Sequence, residues 1–268
     1  MSVENVVKGD FEAEISTEGY DRKSPNHFHR AYEIYYLESG EATYFVDDKV
    51  YDVKKGEFVL IRPGVIHVTR YSHECHKRLL IYFKDEFISE FLKLEPDICA
   101  AFDKVHIRLF KNREQRAADI MNHVMYEYQK ENASLVLLKC LLGELLKFLG
   151  ENSFEANKVS LTSDENKILE IVSYINKNYF SNITLEGLAK KFFLNPSYLS
   201  RSFKEVTGLG YKEYLTSVRL KEAVLLLKNT NLNITGICVK TGFASQNHFC
   251  KTFKKAFSTS PLKYRKYM

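Results

Sequence analysis

The chain has 268 residues, 45% of them hydrophobic and 13% aromatic, with a formal net charge of +5. That length is long for one average domain and suits two, each able to bury its own core, and the apolar content excludes an intrinsically disordered chain. No run approaches eighteen apolar residues and the first ten lack a basic and an apolar signal region, so neither a membrane span nor export is expected.

The five cysteines are odd in number, widely spaced and without a CxxC pair. They argue against a disulfide framework or a structural zinc site, and a reducing cytoplasm fits them best. Cys238 and Cys250 fall at apolar helical positions and are expected in the core.

After a polar N-terminal arm, residues 27 to 83 read as β-structure. Short runs rich in Tyr, Phe, Val and Ile (Tyr32 to Leu37, Ala42 to Val46, Val50 to Val53, Phe58 to Ile61, Leu79 to Phe83) alternate with turn signals at Ser39-Gly40, Asp47-Asp48, Lys55-Gly56 and Pro63-Gly64. Such spacing predicts a sandwich or barrel. The period changes between Asn112 and Gly150. Ile120, Val124 and Tyr128, then Leu135, Leu138, Leu142, Leu145 and Leu149, recur at helical spacing, which predicts two helices with a turn near Asn132. The second is more leucine-rich than one sheet face needs, and a homodimer interface is expected there. Residues 151 to 163 are polar and aperiodic and read as a linker; everything from Asp164 is helical, with Ser163 as the expected N-cap.

The net charge hides an asymmetry. From Asp164 to the end there are 17 Lys and Arg against 7 Asp and Glu, a balance of +10, which leaves −5 before it. Basic excess confined to one half is the footprint of a phosphate-binding surface, although a solvated lysine-rich surface has the same sign. Within that half a pattern recurs about fifty residues apart. Ile183-Thr184, Leu188-Ala189, Leu199, Arg201 and Phe203-Lys204 are echoed by Ile234-Thr235, Ile237-Cys238, Phe249, Lys251 and Phe253-Lys254. Each copy reads as a short capped helix, a tight turn and a second helix, the layout of a helix-turn-helix whose second helix enters the major groove. Between the copies, Tyr211 to Lys228 reads as one amphipathic helix. At 1.5 Å per residue it spans roughly 27 Å, near the ~34 Å between successive major-groove faces.

At this point the chain resembles the AraC/XylS transcription regulators. The likeness is carried by Pro196 to Lys204 with Thr207-Gly208, Arg219-Leu220 with Ala223, Ile237 with Gly242-Phe243, Phe249 with Thr252 to Lys254, and Ser260 to Arg265. One departure is Cys238, where the family commonly has Ala. The resemblance implies double-stranded promoter DNA as partner, with RNA polymerase beside it. It assigns base reading to Ser197, Ser200 and Arg201 in the first unit and to Gln246, Asn247, His248 and Lys251 in the second. Arg forks onto guanine, and Gln or Asn onto adenine. Lys204, Lys254 and Lys255 are better suited to phosphates, which position without reading sequence.

In the first half, His27-x-His29-x3-Glu33-x6-Gly40 resembles the first motif of cupin barrels, with Asp21 where its opening glycine belongs. Gly56, Gly64 and His67 keep the spacing of the second motif, with Pro63 shifted and Tyr71 in place of its Asn. Residues 27, 29, 33, 35 and 37 share one parity and face one side of a strand. An effector pocket lined by His27, His29, Glu33, Tyr35 and His67 follows. His27, His29, Glu33 and His67 also form a donor set for a divalent metal, although the resemblance implies no required cofactor. The expected architecture is α+β in two domains: a cupin-like jelly-roll barrel with a helical pair over 1–150, a linker over 151–163 and an all-α DNA-binding domain over 164–268. The arm before Ser24 is expected to carry effector-responsive contacts. The expected function is a cytoplasmic, non-enzymatic regulator that senses a small molecule, a sugar or related metabolite. Two alternatives stand beside it: a metal-dependent cupin enzyme with an accessory domain, and a regulator whose barrel only dimerises.

Overall fold

The computed structural model describes residues 9–17, 28–71, 76–156 and 161–266. Among the described residues, nine strands and ten α-helices follow in chain order: β1 (Phe11–Ser16), β2 (Tyr32–Ser39), β3 (Glu41–Val46), β4 (Lys49–Lys54), β5 (Phe58–Ile61), β6 (His67–Tyr71), β7 (Lys77–Phe83), α1 (Ser89–Leu94), a 3-10 turn (Ala100–Asp103), β8 (His106–Leu109), α2 (Glu114–Tyr128), α3 (Leu135–Asn152), β9 (Ser153–Glu155), α4 (Ser163–Asn178), α5 (Leu185–Lys191), α6 (Pro196–Thr207), α7 (Tyr211–Asn229), α8 (Ile234–Lys240), α9 (Gln246–Phe257) and α10 (Pro261–Lys266). Among the described residues no helix is long and apolar enough to cross a membrane.

The strands form a six-stranded sheet in the order β1-β7-β2-β5-β8-β9 and a three-stranded sheet in the order β4-β3-β6. Alternation along each strand divides the apolar residues into layers. Ile34, Tyr36, Phe58, Leu60, Leu79, Ile81 and Phe83 face α2 and α3. Their neighbours Tyr35, Leu37, Val59, Ile61, Leu80 and Tyr82 face inward and meet Ala42, Tyr44, Val46, Tyr51 and Val53 of the smaller sheet. The other face of that smaller sheet, through Phe45, Val68 and half-buried Val50, packs on the C-terminal helices. The order of layers is therefore helix pair, large sheet, small sheet, helical domain.

Four local readings need correction. The arm is not all irregular: Phe11–Ser16 alternates and pairs antiparallel with β7 along its whole length. The polar stretch after Gly150 is not wholly a linker either. Glu151 and Asn152 complete α3, and Ser153–Glu155 pairs with β8; three residues are too few to show a period, and only a distant partner strand makes them regular. The N-cap of α4 is Thr162, not Ser163: its hydroxyl accepts from Glu165 N while the Glu165 carboxylate accepts from Thr162 N, a reciprocal capping box. Finally, α7 is not an amphipathic helix with one dry side. Tyr214, Leu215, Val218, Leu220, Ala223 and Leu227 are buried around most of its circumference, because it is enclosed by both flanking units and the barrel. The leucines of α3 also find partners within the chain: Leu138, Leu142, Leu145 and Leu149 are buried with Ile120, Met121 and Val124, and only Leu135 and Val136 at its start stay exposed.

Candidate DNA-reading face and effector pocket

Each repeat folds as two helices set by capping side chains. Thr184 caps α5 by accepting from Gly187 N at 3.0 Å, and Asn195 caps α6 by accepting from Ser197 N at 2.8 Å, with Pro196 in the first turn where no N–H is needed. In the second unit Asn233 accepts from Gly236 N at 2.7 Å and Ser245 from His248 N at 3.2 Å. The intervening turns share a left-handed residue, Phe193 at φ 56° and Gly242 at φ 76°. Only the second has the residue type the conformation favours.

The second helix of each unit then shows two opposite faces. In α6, Leu199, Ser202, Phe203 and Val206 are buried, while Ser197, Ser200, Arg201 and Lys204 are exposed at i, i+3, i+4 and i+7. In α9, Phe249, Phe253, Ala256 and Phe257 are buried, and Gln246, Asn247, His248, Lys251, Lys254 and Lys255 are exposed. All ten positions singled out for DNA thus lie on exposed surface of the two second helices. Arg201 is 71% exposed and its approach to Glu205 is a weak 4.0 Å, which leaves the guanidinium free to reorient. Gln246 is more constrained: its side-chain oxygen accepts from the Thr235 hydroxyl at 2.7 Å, a bond between the two helices of the unit. His248 sets its ring edge-on to Phe243 at 5.7 Å.

The two units touch. The guanidinium of Arg219 on α7 donates to the carbonyls of Tyr179 and Ser181, both at 2.8 Å, and lies over the Phe243 ring. A Cβ on Gly242 would come within 2.7 Å of the Phe180 carbonyl oxygen, so the second unit's turn sits directly on the loop that leads into the first. Cys238 is buried at the helix crossing, with its thiol directed to the Phe243 carbonyl at 3.7 Å.

In the barrel, strand alternation turns Glu33 and Tyr35 inward, and the chain before β2 brings His29 over them. His29 Nε2 lies 3.0 Å, and His67 Nε2 3.1 Å, from the same oxygen of Glu33, while the Tyr44 hydroxyl donates to its other oxygen at 3.2 Å. All three members of the histidine–carboxylate set are less than 5% exposed. Burial alone would raise the Glu33 pKa. The charge of His67 and the hydrogen bonds from both imidazoles outweigh it and hold the carboxyl well below its ordinary range. Burial likewise disfavours a charged His67, but the Glu33 carboxylate outweighs that and raises its pKa. The far ring nitrogens face backbone carbonyls, His29 Nδ1 at 2.8 Å from Ala31 and His67 Nδ1 at 2.9 Å from Val65, which directs both Nε2 atoms at the carboxylate. Tyr35 is fully buried beside Tyr44 at 4.9 Å between ring centroids. His27 lies outside the described residues.

The interior around this knot is filled by Tyr35, Tyr44, Tyr51 and Tyr82. A cleft enclosing about 450 Å3, solvent mouth included, sits beside the β3–β4 turn and is lined among others by Asp47, Asp48, Tyr51, Arg62 and Phe102. Sequence reasoning did not single it out, because its walls come from three separate turns. Thr235 and Arg219 stand out in the sequence only as part of the repeat and of the family match; their contacts with Gln246 and with the Tyr179 and Ser181 carbonyls are visible only once the helices are placed.

Comparison with known proteins places this geometry. Residues 11–127 match the AraC-like ligand binding domain, and residues 188–267 match a helix-turn-helix domain. The chain is 26% identical over 249 residues to the HTH-type transcriptional activator RhaR of Mannheimia succiniciproducens, covering 92% of this chain and 88% of that one. It is 25% identical over 248 residues to the HTH-type transcriptional activator RhaS of Escherichia fergusonii, covering 90% and 87%. Against the Msm operon regulatory protein of Streptococcus mutans serotype c it is 32% identical over 157 residues, 56% of each chain. With a ligand-binding domain in front and paired helix-turn-helix units behind, the chain belongs to the AraC family of DNA-binding transcription regulators.

Proposed function

We propose that this regulator works in the cytoplasm and reads a specific promoter sequence through Ser197, Ser200 and Arg201 of α6 and Gln246, Asn247, His248 and Lys251 of α9, with Lys204, Lys254 and Lys255 on phosphates. The reading rests on one observation. In both second helices the basic and amide-bearing side chains occupy the face that the core leaves exposed, and those groups match guanine and adenine edges. The test is selection of bound sequences from a random duplex pool, followed by affinity measurements across salt. A single preferred motif with steeply salt-dependent binding supports the reading; retention of all sequences alike overturns it.

The small molecule that the barrel senses is a sugar or related hydroxylated metabolite, as in the family at large. Of the five residues expected to line the pocket, the described four, His29, Glu33, Tyr35 and His67, supply acceptors and donors such a ligand needs. The cleft beside Asp47 supplies a second, open space of about 450 Å3. Thermal-shift screening of metabolites finds the ligand, since one at 100 times its Kd adds about 2.7 kcal/mol, and Glu33→Ala against Arg62→Ala separates the two placements. A second homodimeric copy docks through the start of α3, where Leu135 and Val136 are exposed, and RNA polymerase is the partner on the promoter.

One observation favours a divalent ion as a second ligand. Donor atoms of His29, Glu33 and His67 all lie within 4.8 Å of one another and are buried, and both histidines already have their Nδ1 atoms engaged by carbonyls, the arrangement that orients metal-binding imidazoles. These three residues would hold the ion, which would cross-link the segment before β2 to β6. Metal analysis of the purified chain and of His67→Ala tests it.

A further inference from the structure

The barrel holds both reading helices by their C-terminal ends, and it does so with residues one to three positions from the two histidines in the knot. Before β2, Phe28 meets Phe257, the last residue of α9, edge-on at 5.6 Å, and the guanidinium of Arg30 lies 4.9 Å over the ring of Tyr264 in α10. On β6, Val68 packs on Gly208 so closely that a Cβ there would come within 2.6 Å of its methyl, and Arg70 donates to the Val206 carbonyl at 3.2 Å. Gly208 and Val206 close α6. His29, between Phe28 and Arg30, and His67, directly before Val68, point the other way, into the barrel and onto Glu33.

Each helix-turn-helix unit is thus gripped from behind by a different segment of the barrel, and those segments are tied to each other through one carboxylate. The base-facing residues lie at the opposite, N-terminal ends of α6 and α9. A twelve-residue helix is roughly 18 Å long, so a tilt of about 10° about its held end carries its tip about 3 Å. The rise of one DNA base pair is about 3.4 Å.

We infer that Phe28, Arg30, Val68 and Arg70 are positioning residues for DNA recognition: by fixing both reading helices to one barrel they set the separation between the two short DNA elements that the full chain accepts. All four belong to the barrel and none to α6 or α9, so the effect operates through the pose of those helices. The inference rests on the proposed assignment of base reading to those helices.

The experiment uses the full chain. A preferred site is selected from a random duplex pool, and duplexes are then made with its two elements brought closer or moved apart by one and two base pairs. Affinities are measured by fluorescence anisotropy for the wild type, for Arg30→Ala/Arg70→Ala and for Phe28→Ala, each checked by circular dichroism and thermal unfolding. The double variant touches only side chains at the rim of the contact and keeps the test valid if Phe28→Ala unfolds. The wild type is expected to prefer one separation by tenfold or more, and the folded variants to lose most of that preference. An unchanged preference in a folded variant, or an equal loss of affinity on every separation, overturns the inference. So does a wild type that selects a site yet tolerates every separation. A wild type that selects no site at all overturns the base-reading assignment itself and the inference with it.

Discussion

The Tyr214 hydroxyl donates to the backbone carbonyl of Asp47 at 2.8 Å across the boundary between the helical domain and the barrel, and stands 2.8 Å from the Asn176 side chain. Its ring also packs on Phe45 of β3 and Phe203 of α6, and Lys221, two turns along α7, reaches the Asp47 carboxylate at 3.2 Å. Tyr214→Phe keeps the packing and removes the hydroxyl. The Asp47 carbonyl then loses a buried donor, and unfolding by urea should show a loss of about 1 kcal/mol. A change below about 0.3 kcal/mol would mean that water replaces the hydroxyl without cost.

The left-handed residues in the two turns give opposite expectations. Phe193 holds φ 56° with its ring 92% exposed, so it bears backbone strain with little packing in return. Phe193→Gly should stabilise the chain by about 1 kcal/mol. Gly242→Ala should destabilise it by about 2 kcal/mol or more, because the new methyl strains the backbone and meets the Phe180 carbonyl. Chemical denaturation of both variants checks the signs.

Acid sensitivity is expected at Glu57. This buried residue accepts from Lys54 N at 2.9 Å and from Arg108, and lies 2.7 Å from His106 Nε2. Burial raises its pKa, but the bond with His106 and the others outweigh that and lower it below the ordinary carboxylate value. A depressed folded-state pKa means that the ionised form stabilises the fold above the unfolded pKa, and that this contribution fades as pH falls through the folded value. Glu57→Gln should cost about 1 to 3 kcal/mol at neutral pH and flatten the acid limb of a stability-versus-pH curve. A variant that keeps the wild-type slope below pH 5 would assign the acid limb to other carboxylates.

On DNA, Arg201→Ala and Lys255→Ala should differ in kind. The first should cost about 1 to 3 kcal/mol and relax the preference at one base; the second should weaken all sequences alike and reduce the salt slope by about one. Competition binding on single-base variants of the selected site separates the two patterns.

Much of this was legible in the residues. The long apolar signals of α3 and α7 and the paired copies around Leu188 and Ile237 have boundaries within a residue or two of the helices found, because local hydrogen bonding and caps decide where they start and stop. What escaped depends on partners distant in sequence. β1 and β9 are short and acquire order from β7 and β8. Arg219 looks like any surface arginine until the loop at Tyr179 is placed against it. The knot was half legible: strand parity foresaw that Glu33 and Tyr35 face one side, while the convergence of His29 and His67 on one oxygen needed the smaller sheet folded over the larger. The cleft beside Asp47 had no signal, since no single segment builds it.

One side of the small sheet β4-β3-β6 lines the barrel, and the other is divided: Phe45 and Val68 lie under the helices, while Glu41, Asp52 and Lys54 stay exposed. Cut at the junction, the N-terminal half would be left with an apolar plate of β-structure bare, a surface prone to self-association. Grafting this sensor onto a foreign reading head, as modular regulators invite, would succeed only if the recipient brought a matching tyrosine and a glycine at the end of its first reading helix.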